Sequence, residues 1–349
     1  MSLPAPEPIN AIYLKTVGPA VKLSAFTVVD AYDAAGAADR LAEVVRLAEE
    51  ADRGGLSALW VAEHHFHGGG ICPSPPVLLA ACAARTRRLR LGSLVSVLPF
   101  HRPIDLAEEY AMVDRLSGGR LNLGVGSGYI PMEFEGFGVD PATKREAFDR
   151  GLETILAAFS GDPVSAGGPL AAPVRLNVRP VQAPHPPIWI AVQRREAIPF
   201  VARRGASIAL VPYATLDGPE ELGTEIREYR DHLPEGVHGE VAAALHLYAG
   251  PHPERARAAF QRYLDSRLAS QSAFYQEKVK HAPHLARAEE VEKSGWAIFG
   301  SPREVVRRLE TFRQLGVDEV LGIFDFGALA SDEVAESVRG LGEAFAPGP

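Results

Sequence analysis

Short apolar runs alternate with longer amphipathic stretches along most of this chain, and no other feature constrains its fold as strongly. Apolar runs of this length that are bounded by turn residues are typical of β-strands. Eight such runs predict strands at residues 10–17, 56–62, 89–98, 120–125, 187–192, 207–211, 241–248 and 319–324. The run at 56–62 is almost continuously apolar, which is expected of a parallel strand covered on both faces.

Helical segments with clear start and stop signals lie between the predicted strands. Residues 39–53 place their apolar residues on one helical face and end at Gly54-Gly55, while Ser301 and Glu304 have the spacing of a capping box. Further helices are predicted at residues 76–85, 103–116, 144–159, 196–204, 219–232 and 301–315, with a short one from residue 332. Eight strands alternating with helices indicate a closed (β/α)8 TIM barrel, with a doubly wound sheet as the alternative. We expect residues 1–349 to form one barrel domain.

Two segments interrupt the alternation. Residues 161–186 follow the fourth strand and are rich in Gly and Pro, and residues 261–296 follow the seventh strand and are long and polar. We therefore expect irregular insertions after strands 4 and 7. Because long insertions on a barrel are often functional, we interpret about 261–298 as a lid segment.

Composition and charge exclude several classes of function. The net charge of −8, without a basic stripe, argues against a nucleic-acid partner. Cys72 and Cys82 are the only cysteines, so there is no disulfide framework and we expect a cytoplasmic location. No apolar stretch approaches 18 residues and the N-terminus lacks the pattern of a signal peptide, so we expect no membrane association.

Polar, aromatic and glycine residues gather where the predicted strands end. In a (β/α)8 barrel these ends meet at one rim, where active sites form. The rim residues are Glu63-His64-His65-Phe66, Pro99-Phe100-His101-Arg102, Gly126-Ser127-Gly128-Tyr129, Gln193-Arg194-Arg195, Pro212-Tyr213, Tyr248 and Asp325-Phe326. Adjacent side chains on a strand point to opposite faces, so we expect at most one of His64 and His65 to face the barrel mouth.

Each of these groups has an alternative interpretation. A metal could take ligands from Glu63, His64, His65, His67, Cys72 and His101, but their spacing matches no closed zinc pattern, so we expect no metal. In GVGSGY the last glycine comes one place too early for a dinucleotide fingerprint. Arg194 precedes a predicted helix and fits either an anion site or an ordinary surface arginine.

Four segments, taken in order, closely resemble the bacterial-luciferase-like monooxygenase family. They are WVAEHHF at 60–66, the stretch from LGSLVSV to FEGFG at 91–138, RPVQAPHPPIWIAV at 179–192, and FGSPREVVRRLETFRQLGVDEVL at 299–321. The resemblance runs from about residue 10 to residue 325. It implies a (β/α)8 barrel that binds reduced FMN and reacts it with O2, forming a C4a-peroxyflavin that oxidises a small organic substrate.

The resemblance also implies a homodimer and a separate flavin reductase as partner. Some relatives transfer hydride with a deazaflavin coenzyme, and others bind flavin without catalysis, so these two functions remain as alternatives. A metal hydrolase is a third. Nothing in the sequence identifies the substrate.

Individual family positions can be carried over to this sequence. His64 matches the catalytic histidine, and Glu63 matches the acid that orients its neighbours. Leu94-Val95 falls where luciferase has a non-prolyl cis peptide against the isoalloxazine, and Gly126 stands where luciferase has a cysteine.

Two family positions have exchanged their residue types. Ser127 replaces a phosphate-binding arginine, and Arg194 replaces a phosphate-binding serine. We hypothesise that Arg194 now meets the charge of the flavin phosphate while Ser127 donates a hydrogen bond. Gly128, Tyr129 and Gln193 complete the expected cofactor contacts. For the substrate pocket we expect Phe66, Phe100, Tyr213 and Phe326, with Tyr129 beside them; the alternative is that several of these pack the rim.

Overall fold

A closed parallel barrel forms the centre of the computed structural model, which describes residue 9 and residues 21–31, 37–165, 172–269, 276, 279–280 and 282–345. Eight strands close the ring in the order β1-β2-β3-β5-β6-β7-β8-β10, and β10 pairs with both β8 and β1. The strands are β1 Lys22–Thr27, β2 Ala58–Val61, β3 Arg90–Ser93, β4 Ser96–Val97, β5 Leu121–Gly126, β6 Ile188–Val192, β7 Ser207–Leu210, β8 Val241–Ala249, β9 Ala297–Gly300 and β10 Glu319–Ile323. The predicted (β/α)8 fold is confirmed.

Helices surround this barrel, and the longer ones pack against its strands and against one another. They are α1 Ala37–Arg53, α2 Pro75–Arg85, α3 Pro103–Ser117, α4 Pro131–Phe137, α5 Lys144–Ser160, α6 Ile198–Arg203, α7 Pro212–Thr215, α8 Pro219–Asp231, α9 Pro253–Ala269, α10 Ala288–Lys293, α11 Pro302–Leu315 and α12 Ser331–Phe345. The predicted capping box is present. The Ser301 side chain accepts from the Glu304 N–H, and the Glu304 carboxylate accepts from the Ser301 N–H. No helix within the described ranges has the length and apolar character needed to cross a bilayer.

The first barrel strand differs from the prediction. Residues 10–17 lie outside the described residues, and the strand that opens the barrel is β1, which the sequence did not mark. Its polar members explain the omission: Ser24 Oγ donates to Glu319 at 2.6 Å and Thr27 Oγ1 donates to Asp325 at 2.5 Å. Polar residues in a short segment are typical of a loop. Here they belong to a strand, because their hydrogen-bond partners lie almost 300 residues further along the chain and satisfy them inside the barrel.

The predicted strand at 89–98 and the two insertions also need correction. The strand divides into β3 and β4, and a cis peptide between Leu94 and Val95 separates them. Of the insertions, 161–186 is irregular in its described part, apart from one bridge between Val164 and Val174. The second insertion is not irregular throughout: α9 continues into it as far as Ala269 and buries one face, and α10 and β9 follow before residue 301.

Candidate active site

The EHHF segment leaves β2 directly into a buried turn at the barrel mouth. Glu63, His64 and His65 are all less than one-tenth exposed. The backbone fixes them, because the Glu63 N–H donates to the Val95 carbonyl and the His64 N–H donates to the Cys72 carbonyl. Gly70 is required beside this turn, since a Cβ there would lie 2.6 Å from Cδ2 of the His64 ring.

Glu63 holds one side of this turn together. Its Oε1 accepts from His65 Nε2 at 3.0 Å and from His101 Nε2 at 2.9 Å, and its Oε2 accepts from the Val97 N–H at 3.1 Å. Burial opposes ionisation, but the hydrogen bonds from His101 and His65 outweigh it and lower the pKa of Glu63. Burial likewise disfavours protonated His101, yet the Glu63 carboxylate raises the pKa of that imidazole. Glu63 therefore holds His65 and His101 in place, and its role in catalysis stays a prediction.

A second carboxylate, that of Glu133, orients His64. Glu133 lies on α4, and its Oε1 accepts from His64 Nδ1 at 3.0 Å, from the His65 N–H at 3.0 Å and from His67 Nε2 at 3.3 Å. Burial works against the charge, but these hydrogen bonds lower the pKa of Glu133 to about 2. Nothing in the sequence singled out Glu133, because α4 is only seven residues long and was not predicted.

The protonation state of His64 follows from this contact. Burial lowers the pKa of His64, and the opposing effect of Glu133 does not restore it. His64 is therefore neutral near pH 7. An ionised carboxylate can only accept, so Nδ1 carries the proton and Nε2 keeps its lone pair.

Two histidines and one carboxylate could also hold a metal ion. The ligand atoms of His64, His67 and Glu133 all lie within 4.8 Å of one another, which makes them the candidate cluster among the described residues. The other proposed ligands lie elsewhere: His65 and His101 bond to Glu63, and burial raises the pKa of the Cys72 thiol to about 12. The hydrogen bonds already account for the cluster, and the absence of a metal stays a prediction.

The segment expected to contact a flavin ring is built by β3, β4 and β5. The cis peptide at Leu94-Val95 lies where the resemblance placed it. Gly126, at the end of β5, packs against it, since a Cβ at Gly126 would lie 2.6 Å from Val95 Cγ2. A glycine is needed here for this close approach of two strands.

A cation lies beside the loop that follows β5. Lys144 Nζ donates to the Gly128 carbonyl at 3.0 Å. Burial lowers the pKa of Lys144, and the positive charge of Arg194 lowers it further, so Arg194 is close enough to act on Lys144 electrostatically. Neither pairs with a carboxylate in the part of the chain that the structure describes. Ser127 lies half-buried in the same loop. Lys144 is thus a candidate anion-binding residue that the sequence did not suggest.

The predicted substrate-pocket residues do not form one wall. Tyr129 stands beside His64, with 6.3 Å between their ring centroids, and its hydroxyl bonds to Gln193. The Tyr213 hydroxyl lies 2.8 Å from that of Tyr263. Phe66 and Phe100 pack on Phe137 at the end of α4. Phe326 is fully buried against Phe260 and His246, and the Tyr213 ring packs on the same His246 with 4.7 Å between the ring centroids.

These positions fit a flavin mononucleotide. Gly126 packs closely against Val95 beside the cis peptide, where an apolar ring could lie, and Lys144 places a cation beside the loop of Ser127 and Gly128, where a phosphate could lie. The sequence pattern of the family described as luciferase-like monooxygenase matches residues 21–319.

The chain belongs to the luciferase-like monooxygenase family.

Curated relatives match the chain over different shares of its length. Two uncharacterized proteins of Sinorhizobium fredii, y4wF and y4vJ, are 41% identical over 196 residues and 38% identical over 179 residues. These matches cover 55% and 49% of this chain and 57% and 49% of the relatives, so the chain spans about half the length of both. The oxygenase component of a flavin-dependent trigonelline monooxygenase from Acinetobacter baylyi is 27% identical over 319 residues, 86% of this chain and 88% of that protein.

Solved structures of the luciferase-like fold superpose over most of the chain. The monooxygenase RslO1 from Streptomyces bottropensis has a TM-score of 0.77 at 27% identity, covering 93% of this chain and 99% of its own. The oxygenating constituent of 3,6-diketocamphane monooxygenase from Pseudomonas putida, in complex with FMN, has a TM-score of 0.80 at 17% identity, with coverage of 94% and 98%. A coenzyme F420-dependent tetrahydromethanopterin reductase from Methanopyrus kandleri has a TM-score of 0.64 at 17% identity, with coverage of 93% and 99%. The last two show the fold alone.

Proposed function

We propose that this luciferase-like protein is a flavin-dependent monooxygenase that uses reduced FMN and O2 to oxidise a small organic substrate. The observation that carries the proposal is the buried pair of His64 and Glu133, which presents a neutral imidazole at the barrel mouth. This pair lies beside the segment suited to the flavin ring, because the backbone of Glu63 bonds to that of Val95. The similarity to the oxygenase component of a flavin-dependent monooxygenase supports the same function.

The residues of the chain have separate roles in this proposal. Reduced FMN, when bound, supplies the electrons that activate O2. His64 accepts or returns a proton at Nε2, while Glu133 holds the Nδ1 proton and stabilises the imidazolium when it forms. Leu94, Val95 and Gly126 would contact the ring, and Gly128, Tyr129 and Gln193 would border it. Ser127, Arg194 and Lys144 would bind the phosphate, which suits two cations that have no carboxylate partner among the described residues.

Stopped-flow absorbance tests the proposal. The protein is loaded with FMN, reduced without oxygen and mixed with O2. We expect reoxidation of the flavin to differ in rate and number of phases from that of free reduced FMN, and His64→Ala to change the phases while flavin affinity is retained. His238→Ala, at an exposed histidine, is the matched control. If the bound flavin reoxidises with the same rate and phases as free reduced FMN, the monooxygenase proposal is contradicted and the protein binds flavin without catalysis.

A deazaflavin coenzyme is the second candidate cofactor, and the shared fold with an F420-dependent reductase favours keeping it. Equilibrium titrations with FMN and with F420 distinguish the two. We expect tighter binding of FMN, because the cations at Lys144 and Arg194 meet its terminal phosphate. Tighter binding of F420, together with hydride transfer from it, would replace the monooxygenase proposal.

We propose a separate flavin reductase as one partner of this protein.

We also propose a homodimer formed through α2 and α3, which pack side by side. Val77 on α2 and Met112 and Leu116 on α3 expose 69%, 54% and 61% of their surface, which leaves apolar side chains for a second copy to cover. Leu116→Asp should shift the sedimentation coefficient to that of a monomer, while Val174→Asp, at an exposed residue elsewhere, should not. A wild-type monomer would contradict the dimer.

We also propose a cytoplasmic location. Cys72 and Cys82 are both free and buried, as expected of a protein that folds in a reducing compartment.

A further inference from the structure

An arginine on α9 reaches into the mouth of the barrel. The Arg267 side chain is only 16% exposed, its Nη2 donates to Asp30 Oδ1 at 2.7 Å, and its Nη1 donates to the Gly69 carbonyl at 2.9 Å. The guanidinium also lies 5.0 Å from the Tyr263 ring centroid. A charged group buried to this extent is costly, and the ion pair with Asp30 offsets that cost.

Contacts connect the guanidinium to His64 and to two phenols. His67 Nδ1 and Arg267 Nη1 both lie close to the position of a Cβ at Gly69, and the His64 ring centroid lies 5.3 Å from that of His67 and 6.3 Å from that of Tyr129. On the other side of the guanidinium, the Tyr263 hydroxyl bonds to that of Tyr213 at 2.8 Å. The charge of Arg267 also acts on the pKa values of His64, Tyr129 and Tyr213, although burial is the main influence on each. Burial raises the pKa of both phenols, that of Tyr129 to about 12, so both remain neutral groups that can donate. The proposed catalytic histidine, two phenols and a guanidinium therefore belong to one connected group of side chains at the barrel mouth.

Gly69 leaves room between the Arg267 guanidinium and the His67 imidazole for a group about the size of a methyl. A Cβ at Gly69 would lie 3.0 Å from Arg267 Nη1 and 3.1 Å from His67 Nδ1. Any larger residue would close this gap from the side of the β2 loop. Arg267 is thus joined to the EHHF turn, although it lies 198 residues further along the chain than Gly69.

We propose that the organic substrate carries a carboxylate and that Arg267 binds it, with Tyr129 or Tyr213 as an additional donor. This inference deepens the proposed function and rests on it only in placing the substrate at the same site. The guanidinium is the side chain best matched to a carboxylate, and a substrate carboxylate that takes the place of Asp30 would accept from Nη2. A carboxylate held there would leave the rest of the molecule beside Tyr129 and His64.

Asp30 acts as the internal competitor for Arg267. Burial raises the pKa of Asp30 to about 6, and Asp325 raises it further, whereas Arg267, Arg40 and His67 lower it. An arriving carboxylate adds a negative charge beside Asp30 and favours its protonated form. Binding therefore takes up a proton, so affinity for a carboxylate should fall as the pH rises through about 6.

Calorimetric titration of the flavin-free full-length protein tests this inference, with benzoate as the probe and benzamide as its neutral match. At neutral pH we expect benzoate to bind at least about tenfold more tightly, which is the size of one charged hydrogen bond. Arg267→Gln should abolish this preference, and Asp30→Asn should tighten benzoate binding. Arg262→Gln on the same helix, where the side chain bonds to the Gly327 carbonyl, should leave it unchanged. Equal binding of both probes, no binding of benzoate, or a preference that survives Arg267→Gln overturns the proposal.

A second measurement avoids the loss of the α9 anchor. In the wild-type protein, benzoate affinity should decrease between about pH 5.5 and about pH 8, although benzoate itself remains ionised over this range. A flat profile, or one that rises with pH, contradicts the competition with Asp30 and overturns the assignment. Because no flavin is present, a failure here leaves the monooxygenase proposal intact, and a failure of FMN binding leaves this result intact.

Discussion

Glu133→Gln is the substitution that most directly tests the chemistry of this site. The change removes a charge without removing volume, at a carboxylate that is 1% exposed and accepts three hydrogen bonds at one oxygen. A glutamine amide can donate to His64 Nδ1. If it does, the ring keeps its proton on Nε2, and the atom that should accept a proton becomes a donor.

The structure gives the size of the effect. The fall of the Glu133 pKa from 4.5 to about 2 corresponds to about 3 kcal/mol of preference for the ionised form. Because this pKa is depressed in the folded state, its stabilising contribution is complete above about pH 4.5 and is lost as the pH falls towards 2. The wild type should therefore exceed Glu133→Gln in free energy of unfolding by about 2 to 3 kcal/mol at neutral pH. The difference should shrink in acid.

Two assays separate stability from catalysis. Urea unfolding at several pH values measures the first, and single-turnover substrate oxidation with FMN-loaded protein measures the second, where we expect a loss of about 100-fold or more. Glu135→Gln, an exposed carboxylate on the same helix, is the control. Reasoning from the His64–Glu133 pair is refuted if Glu133→Gln turns over substrate like the wild type, or if its stability difference does not depend on pH.

Three further predictions follow from the same contacts. Arg194→Ala and Lys144→Ala should each weaken FMN binding by about 10- to 100-fold, and Ser127→Ala by less than about tenfold, because a charged hydrogen bond is worth more than a neutral one. Flavin fluorescence measures these affinities, and equal losses in Arg194→Ala and Ser127→Ala would contradict the exchange of phosphate partners. Cys72 and Cys82 should not react with a thiol reagent in the native protein, since burial raises both pKa values to about 12; a fast reaction before unfolding contradicts this. Elemental analysis of the purified protein should find no stoichiometric zinc, and one bound zinc that is lost in His67→Ala would show that His64, His67 and Glu133 hold a metal.

Local sequence patterns were enough to predict much of the architecture. The alternation of apolar runs and amphipathic helices predicted the eight-stranded barrel, because a parallel strand and its covering helix each have their own sequence period. The ends of those strands predicted the rim, and His64, Tyr129 and Arg194 lie there. The cis peptide came from the resemblance alone, since no local pattern marks it.

The sequence by itself determined the barrel and which residue types line its mouth. Only the tertiary structure decided which of them touch. His64 finds Glu133 across 69 residues, and Asp30 finds Arg267 across 237. The sequence did not predict β1 as a strand, because the acceptors for Ser24 and Thr27 lie at the other end of the chain. The physical reason is common to all three: a hydrogen bond or ion pair between different βα units leaves no trace in the local periodicity of either unit, because only closure of the barrel brings them together.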